Sequence, residues 1–264
     1  MFENKKEFKL ITKKNPKSLL PNALTIFSVC LGLSSIKFAL DANYAMAIIV
    51  IGFAAILDTL DGRVARLIKG TSKVGKELDS LTDVISFGVA PGFIMYFWTL
   101  NEIGKFGWMF VLIYTVCCAL RLARFNLMVI EENETWKINF FEGVPSPAAA
   151  GLVLLPLILN LSGLFQFENY ALLSSITILT TSILMVSKIA TYSLKRILIP
   201  RHLTIFLLLG IGIYVSLLIF YTFETLFFSG LIYIFLIPIS YFHYKNKNKT
   251  SLITSNEEET EDIL

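Results

Sequence analysis

Eight apolar segments, each close to 20 residues long, constrain the fold of this chain more than any other feature. A membrane-spanning α-helix needs about 20 mostly apolar residues. Hydrophobic residues make up 55% of the 264-residue chain and charged residues only 16%, whereas an ordinary soluble domain is about one quarter charged. The sequence therefore predicts an all-α polytopic membrane protein, a helical bundle with about eight transmembrane helices. The predicted spans are residues 22–40, 44–64, 79–100, 106–127, 147–163, 169–187, 202–221 and 225–243.

The basic residues indicate how these spans are oriented. Of the 23 Lys and Arg residues, 21 fall in the terminal segments and in the loops that eight spans would place on one side. Because positively charged loops stay on the cytoplasmic side of a membrane, both termini are expected in the cytoplasm. The net charge of +3 is too small to indicate nucleic-acid binding by itself. The three cysteines lie in apolar segments, which disfavours a disulfide framework.

The two ends of the chain differ in composition from the apolar region between them. Residues 1–20 form a basic segment with interspersed apolar residues, and two interpretations of it remain open, an interfacial amphipathic helix or a solvated tail. Residues 21–244 are expected to form the transmembrane domain. Residues 245–264 are expected to form a charged, disordered cytoplasmic tail.

Four aspartates occupy positions inside apolar segments, where a carboxylate is costly and usually serves function. Asp58 and Asp61 lie on one face of the second span, and Asp79 and Asp83 are one turn apart at the start of the third. The basic turn between these spans makes the two helices antiparallel neighbours, so the acidic faces can meet. Carboxylate oxygens favour Mg²⁺, Mn²⁺ or Ca²⁺, and two such ions would use all four carboxylates.

These aspartates belong to a longer pattern that has eight fixed positions within 26 residues. The pattern reads Asp58-x-x-Asp61-Gly62-x-x-Ala65-Arg66, then eight residues, then Gly75-x-x-x-Asp79-x-x-x-Asp83. It resembles the signature of the CDP-alcohol phosphotransferases at every fixed position and in its spacing. The resemblance implies an enzyme that displaces CMP from a CDP-linked lipid or alcohol with the hydroxyl of a second alcohol, using a divalent metal.

The same resemblance implies a role for each matched residue. The four aspartates would hold two ions, Mg²⁺ or Mn²⁺, and Asp83 would also be the general base toward the attacking hydroxyl. At the start of the first span, Pro21-Asn22-x-x-Thr25 is similar to the first helix of the family. The residues that would bind the CDP-lipid are Asn22, Thr25, Asp58, Gly62, Ala65, Arg66, Gly75 and Asp79.

Two later stretches bear on the acceptor alcohol. Residues 119–126 and 140–150 resemble the membrane-embedded CDP-diacylglycerol–serine O-phosphatidyltransferases of that family. The resemblance implies CDP-diacylglycerol and L-serine as substrates, a bacterial inner membrane with the active site toward the cytoplasm, and, by analogy alone, a homodimer. Arg121 and Arg124 are one turn apart, so both can face one cavity and bind the carboxylate of serine.

Other functions remain open on the residues alone. A glycerol 3-phosphate or inositol phosphate acceptor would bring a phosphate that the same arginines could bind. An ion-coupled transporter uses intramembrane carboxylates to relay Na⁺ or H⁺, and in a scaffold the acids would pair with nearby arginines. Metal-dependent release of CMP would separate the enzyme from the transporter and the scaffold.

Overall fold

The computed structural model describes residues 19–68, 73–127, 140–192 and 203–261, and these residues are almost entirely helical. Each predicted apolar segment contains an α-helix, and a π-helical turn divides the third into two helices. The predicted helical membrane fold is therefore confirmed. The α-helices are α1 (Leu19–Leu40), α2 (Tyr44–Leu67), α3 (Lys73–Asp83), α4 (Ala90–Trp98), α5 (Lys105–Leu127), α6 (Ser146–Ser162), α7 (Tyr170–Val186), α8 (Thr204–Phe220) and α9 (Thr222–Glu261).

The lengths of these helices support an integral membrane protein. Three of the helices, α6, α7 and α8, have 17 residues each. A helix of that length rises about 25 Å, which is less than the hydrocarbon thickness of about 30 Å. The count of eight spans therefore stays a prediction. The five described helical segments that are long and apolar enough to cross a membrane are Leu20–Leu40, Tyr44–Leu67, Val74–Trp98, Lys105–Leu127 and Thr222–Lys245.

The structure at the two ends of the chain does not test the predicted domain boundaries. Residues 1–20 lie outside the described residues, except for the last two positions. An interfacial helix and a solvated tail therefore both stay open for this segment. At the other end, α9 continues as a helix to Glu261, across residues for which the sequence predicts a disordered tail. No glycine or proline after Pro238 interrupts it. The boundaries at 20/21 and 244/245 stay predictions.

The π-helical turn, Val84–Val89, begins directly after Asp83. Its backbone is held from α5, where the Tyr114 hydroxyl donates a hydrogen bond to the Phe87 carbonyl oxygen at 2.7 Å. Phe87 and Tyr114 are both fully buried. Because π-helical turns are rare and often lie at functional sites, this one marks the acidic end of α3 as a region of interest.

A glycine of α1 lets this turn pack closely. A Cβ added to Gly32 would lie 2.9 Å from the Cα of Ser86, in the π-helical turn. Small residues allow such close approach between helices in a membrane. The helix that carries Thr25 is therefore packed directly against the turn that follows Asp83.

Replacing Gly32 with alanine should destabilise the protein because the backbone of Ser86 cannot move out of the way as a flexible side chain could. Overpacking of this kind costs about 1–3 kcal/mol, so the melting temperature in detergent should fall. Gly52→Ala is the matched control, since a Cβ there meets nothing within 4 Å and alanine favours a helix. Equal melting temperatures for the two variants would show that α1 and the π-helical turn are not in close contact.

A small sheet connects two loops that the sequence does not indicate as neighbours. Strands β1 (Phe140–Glu142) and β2 (Ala190–Tyr192) pair antiparallel, with Phe141 opposite Thr191. The Thr191 hydroxyl donates to the Gly143 carbonyl oxygen at 2.8 Å. Because Gly143 has a positive φ of 73°, the chain turns sharply there and enters α6. The sheet thereby fixes the start of α6 against the segment that follows α7.

Candidate active site

Three of the four aspartates in the apolar segments meet between α2 and α3. Asp58, Asp61 and Asp79 each offer a carboxylate oxygen, and these oxygens all lie within 4.8 Å of one another. Asp61 is buried, and the other two are half-buried. The helical spacings in the sequence bring the two acidic faces together as expected. Three carboxylates this close repel one another unless a cation lies among them.

Asp83, the fourth aspartate, joins this group through Asp58. The two carboxyl groups are in hydrogen-bonding contact. The Oδ1 atom of Asp83 is buried and has no hydrogen-bond partner among the described residues. A buried carboxylate oxygen without a partner is costly, and a hard divalent cation prefers such oxygen donors. The four aspartates, called the acidic cluster below, therefore have the chemistry to hold a divalent metal.

Thr25 of α1 fixes one member of the acidic cluster. Its hydroxyl lies 2.6 Å from Oδ2 of Asp61 and 3.0 Å from the Pro21 carbonyl oxygen. Both of these oxygens are acceptors and the threonine hydroxyl has one hydrogen, which the shorter contact assigns to Asp61. The sequence assigns Thr25 to the CDP-lipid site, and the structure shows that this residue also orients an aspartate.

An open pocket lies beside the acidic cluster, with an empty volume of about 630 Å³ that includes space open to solvent. Seven of the eight residues that the sequence assigns to the CDP-lipid line it. Asp58 is the eighth; it does not line the pocket, whereas Asp61 and Asp79 of the same cluster do. Pro21 and Lys76 line the pocket as well, although the sequence does not assign them. The seven are Asn22, Thr25, Gly62, Ala65, Arg66, Gly75 and Asp79.

The pocket leaves room for a ligand beside Gly62. A Cβ added there would have only Nη1 of Arg66 nearby, at 4.0 Å, so among the described residues no neighbour requires a glycine. Arg66 is exposed at the pocket, and it interacts electrostatically with Asp79. An anionic group in this pocket would therefore lie near the Arg66 guanidinium and near two members of the acidic cluster, Asp61 and Asp79. A pyrophosphate bound through a metal fits that arrangement.

The structure separates the two arginines that the sequence assigns together to the acceptor. Arg121 is 9% exposed, and its Nη1 donates to the Ser146 hydroxyl at 2.6 Å. It also interacts electrostatically with Asp83. Arg124 is exposed, and its Nη1 donates to the Val186 carbonyl oxygen at 2.8 Å, at the C-terminus of α7. The two guanidinium groups therefore have different partners in the structure, and acceptor binding by both stays a prediction.

The sequence gives no acceptor role to Ser146, which is fully buried at the first position of α6. Its neighbours, Pro145 and Pro147, suggest only the start of a helix, and the partner of its side chain is 25 residues away in the chain. No local sequence pattern indicates a contact between residues so far apart in the chain. Asn126, near the end of α5, donates to the Ser80 hydroxyl at 2.8 Å and so ties α5 to α3.

Comparisons with known proteins agree with the signature. The CDP-alcohol phosphatidyltransferase family model matches residues 18–191. The chain is similar to a CDP-diacylglycerol–serine O-phosphatidyltransferase of Mycobacterium leprae, with 40% identity over 185 residues that cover 70% of this chain and 61% of the relative. A Helicobacter pylori protein of the same name is 42% identical over 183 residues, which cover 69% of this chain and 76% of that protein.

A third similar protein comes from Bacillus subtilis and carries the same name. It is 34% identical over 177 residues, which cover 67% of this chain and 92% of that protein. The chain thus spans about three fifths of the length of the mycobacterial relative. The family match ends at residue 191, before α8 and α9.

Proposed function

Because this chain belongs to the CDP-alcohol phosphatidyltransferase family, we propose that it transfers the phosphatidyl group of CDP-diacylglycerol to the hydroxyl of L-serine and releases CMP. The observation that carries this proposal is the acidic cluster, which lies beside an open pocket and is joined electrostatically to one buried arginine. The names of the relatives support serine as the acceptor.

The proposed reaction is a direct in-line displacement. The serine oxygen attacks the phosphorus that carries the diacylglycerol, the bond from that phosphorus to the bridging oxygen breaks, and CMP leaves with that oxygen. Asp83 takes the proton of the serine hydroxyl as the new bond forms. A divalent cation, Mg²⁺ or Mn²⁺, held by the acidic cluster as one or two ions, would neutralise charge on the pyrophosphate. The acidic cluster consists of aspartates, and the proposed displacement needs no covalent intermediate with the protein.

The remaining residues of the site bind and orient the donor. The pocket residues of α1, α2 and α3 hold the cytidine diphosphate part, with Arg66 toward the phosphates. Thr25 keeps Asp61 in place through its 2.6 Å hydrogen bond. Phosphoryl transfer depends mainly on positioning and on charge neutralisation, and these are the functions that such a set of side chains can provide.

One buried guanidinium favours a carboxylate over a phosphate on the acceptor. Serine brings a single negative charge on its carboxylate, which the planar fork of Arg121 matches. Glycerol 3-phosphate and inositol phosphate bring nearly two charges, and Arg124 is directed to the Val186 carbonyl oxygen instead. Choline and ethanolamine lack an anionic group altogether. The site therefore fits an amino-acid acceptor better than the others.

The proposal also includes the setting of the enzyme. The asymmetry of basic residues supports a cytoplasmic position for both termini and for the active site, and the bacterial relatives support the inner membrane. A homodimer is proposed by resemblance alone.

The test is CMP release by detergent-purified protein supplied with CDP-diacylglycerol and Mg²⁺ or Mn²⁺. We expect release that depends on L-serine, falls by at least about 100-fold with EDTA because the acidic cluster loses its cation, and returns with added metal. Release with glycerol 3-phosphate or inositol phosphate alone would contradict serine as the acceptor. No release with any acceptor from folded protein would contradict the enzymatic function and favour a transporter or a scaffold.

A further inference from the structure

The carbonyl group of Phe87, in the π-helical turn, lacks the backbone donor that a continuous α-helix would give it. In an α-helix each carbonyl accepts a hydrogen bond from the amide four residues later. Residue 91 is proline, which has no backbone N–H. Phe87 is fully buried, and an unpaired carbonyl is costly in the apolar interior of a membrane protein. This carbonyl therefore needs a donor from another part of the chain.

Tyr114 of α5 supplies that donor. Its hydroxyl donates to the Phe87 carbonyl oxygen at 2.7 Å, the usual length of a good O–H···O hydrogen bond. Tyr114 is fully buried as well, so the bond is shielded from bulk water and its loss would not be made good by solvent. The two residues are 27 positions apart in the chain. The geometry of the turn after Asp83 therefore depends on a side chain from a different helix.

Close packing between α5 and the π-helical turn supports this hydrogen bond. Cys118 lies one turn after Tyr114 on the buried face of α5. A Cβ added to Gly88, in the π-helical turn, would lie 3.1 Å from the Sγ atom of Cys118. The backbone of the turn thus approaches α5 closely at the residue that follows Phe87. The Tyr114 hydroxyl acts on a segment that is already held against its own helix.

The position of the Asp83 side chain depends on the geometry of this turn. The turn begins at Val84, directly after Asp83, and Phe87 follows the aspartate by four residues, about one helical turn. Without the Tyr114 hydroxyl, the buried Phe87 carbonyl would lose this partner, and the backbone of the turn would be less firmly held. A displacement of about 1 Å at a reacting group can cost about 100-fold in rate. A small movement of the turn is therefore enough to reduce catalysis.

We infer that Tyr114 is a positioning residue, whose hydroxyl holds the π-helical turn in the geometry that directs the Asp83 carboxyl group toward the attacking hydroxyl. This role rests on the proposed function, since it concerns the general base of that reaction. Tyr114 is not among the described residues that line the pocket beside the acidic cluster. Its removal should therefore lower kcat and leave the binding of CDP-diacylglycerol unchanged.

The experiment compares Tyr114→Phe with Tyr44→Phe. The Tyr44 hydroxyl donates to the Phe97 carbonyl oxygen at 3.0 Å, so the control loses the same kind of hydrogen bond near the far end of α4. We expect the kcat for serine-dependent CMP release to fall about 10-fold in Tyr114→Phe and to stay within about twofold in Tyr44→Phe. The KM for CDP-diacylglycerol should stay within about twofold in both, because the described pocket residues all precede Val84. The melting temperatures of the two variants show whether they lose similar stability.

A double variant tests whether Tyr114 acts through Asp83. In Asp83→Asn the carboxyl group that the turn directs is already gone, so adding Tyr114→Phe should lower kcat by less than about twofold. A further fall of about 10-fold would show that the two residues act independently, and this would overturn the inference. Equal kcat values for Tyr114→Phe and Tyr44→Phe would overturn it as well.

Thr115→Val takes the place of Tyr114→Phe if that variant does not fold. The Thr115 hydroxyl donates to the Gly88 carbonyl oxygen of the same turn at 3.4 Å. Because this bond is longer and weaker, we expect a fall in kcat of about threefold, and an unchanged kcat would then contradict the role of the turn. If the unsubstituted protein releases no CMP with L-serine, the proposed function itself fails before any variant is made, and the inference fails with it.

Discussion

Asp83→Asn is expected to reduce serine-dependent CMP release by about 100- to 10,000-fold, the range typical for the loss of a general base. The carboxamide keeps the size of the side chain, but it cannot take the proton of the serine hydroxyl. It also removes one negative charge from the acidic cluster. The measurement is kcat at saturating L-serine, CDP-diacylglycerol and Mn²⁺, together with the melting temperature, which should not fall.

Asp41→Asn provides the control for Asp83→Asn. Asp41 is exposed in the turn between α1 and α2, where it forms an ion pair with Lys37. The chemical change is the same, but this residue lies outside the acidic cluster, so kcat should stay close to that of the unsubstituted protein. If Asp83→Asn kept more than about a tenth of the activity, another group would have to accept the proton.

Arg121→Lys is expected to raise the KM for L-serine by about 100-fold, the second largest effect among the predictions. Lysine keeps the positive charge, but it lacks the planar fork that binds a carboxylate through two parallel hydrogen bonds. It also loses the orientation that Ser146 gives to the guanidinium at 2.6 Å. The measurement is the dependence of CMP release on L-serine, with the KM for CDP-diacylglycerol as the internal reference.

Arg124→Lys tests the pairing of arginines that the one-turn spacing in the sequence suggests. The Arg124 guanidinium donates to the Val186 carbonyl oxygen, and an exposed lysine at the end of a helix can do the same at little cost. We therefore expect less than about a threefold change in the KM for L-serine, well under the effect of a lost charged hydrogen bond. Similar losses in both variants would instead support the two-arginine acceptor site that the sequence predicts.

The parts of the fold that follow from local spacing could be predicted. Apolar length alone locates the helices, since each predicted span contains a helix in the described residues. The contact between the acidic faces follows as well, because Asp58 and Asp61 lie one turn apart on α2, while Asp79 and Asp83 do so on α3. Only five residues separate α2 from α3, so the two acidic faces stay close in space.

The features that could not be predicted all depend on contacts between distant parts of the chain. Positions 121 and 124 both carry arginine, and their surroundings in the sequence are similar. Only their contacts in the fold, with Ser146 and with the end of α7, distinguish the buried arginine from the exposed one. The three-residue strands are too short to show an alternating pattern.

The π-helical turn after Asp83 changes the directions in which side chains point along one continuous helical segment. Relative to an uninterrupted α-helix, such a turn inserts about one residue, which rotates all that follows by about 100°. The side chains of the acids before the turn therefore follow one helical phase. The buried face of α4, with Ala90 and Ile94, follows another. One continuous helical segment can thus direct carboxylates toward the pocket and apolar side chains toward the core of the bundle.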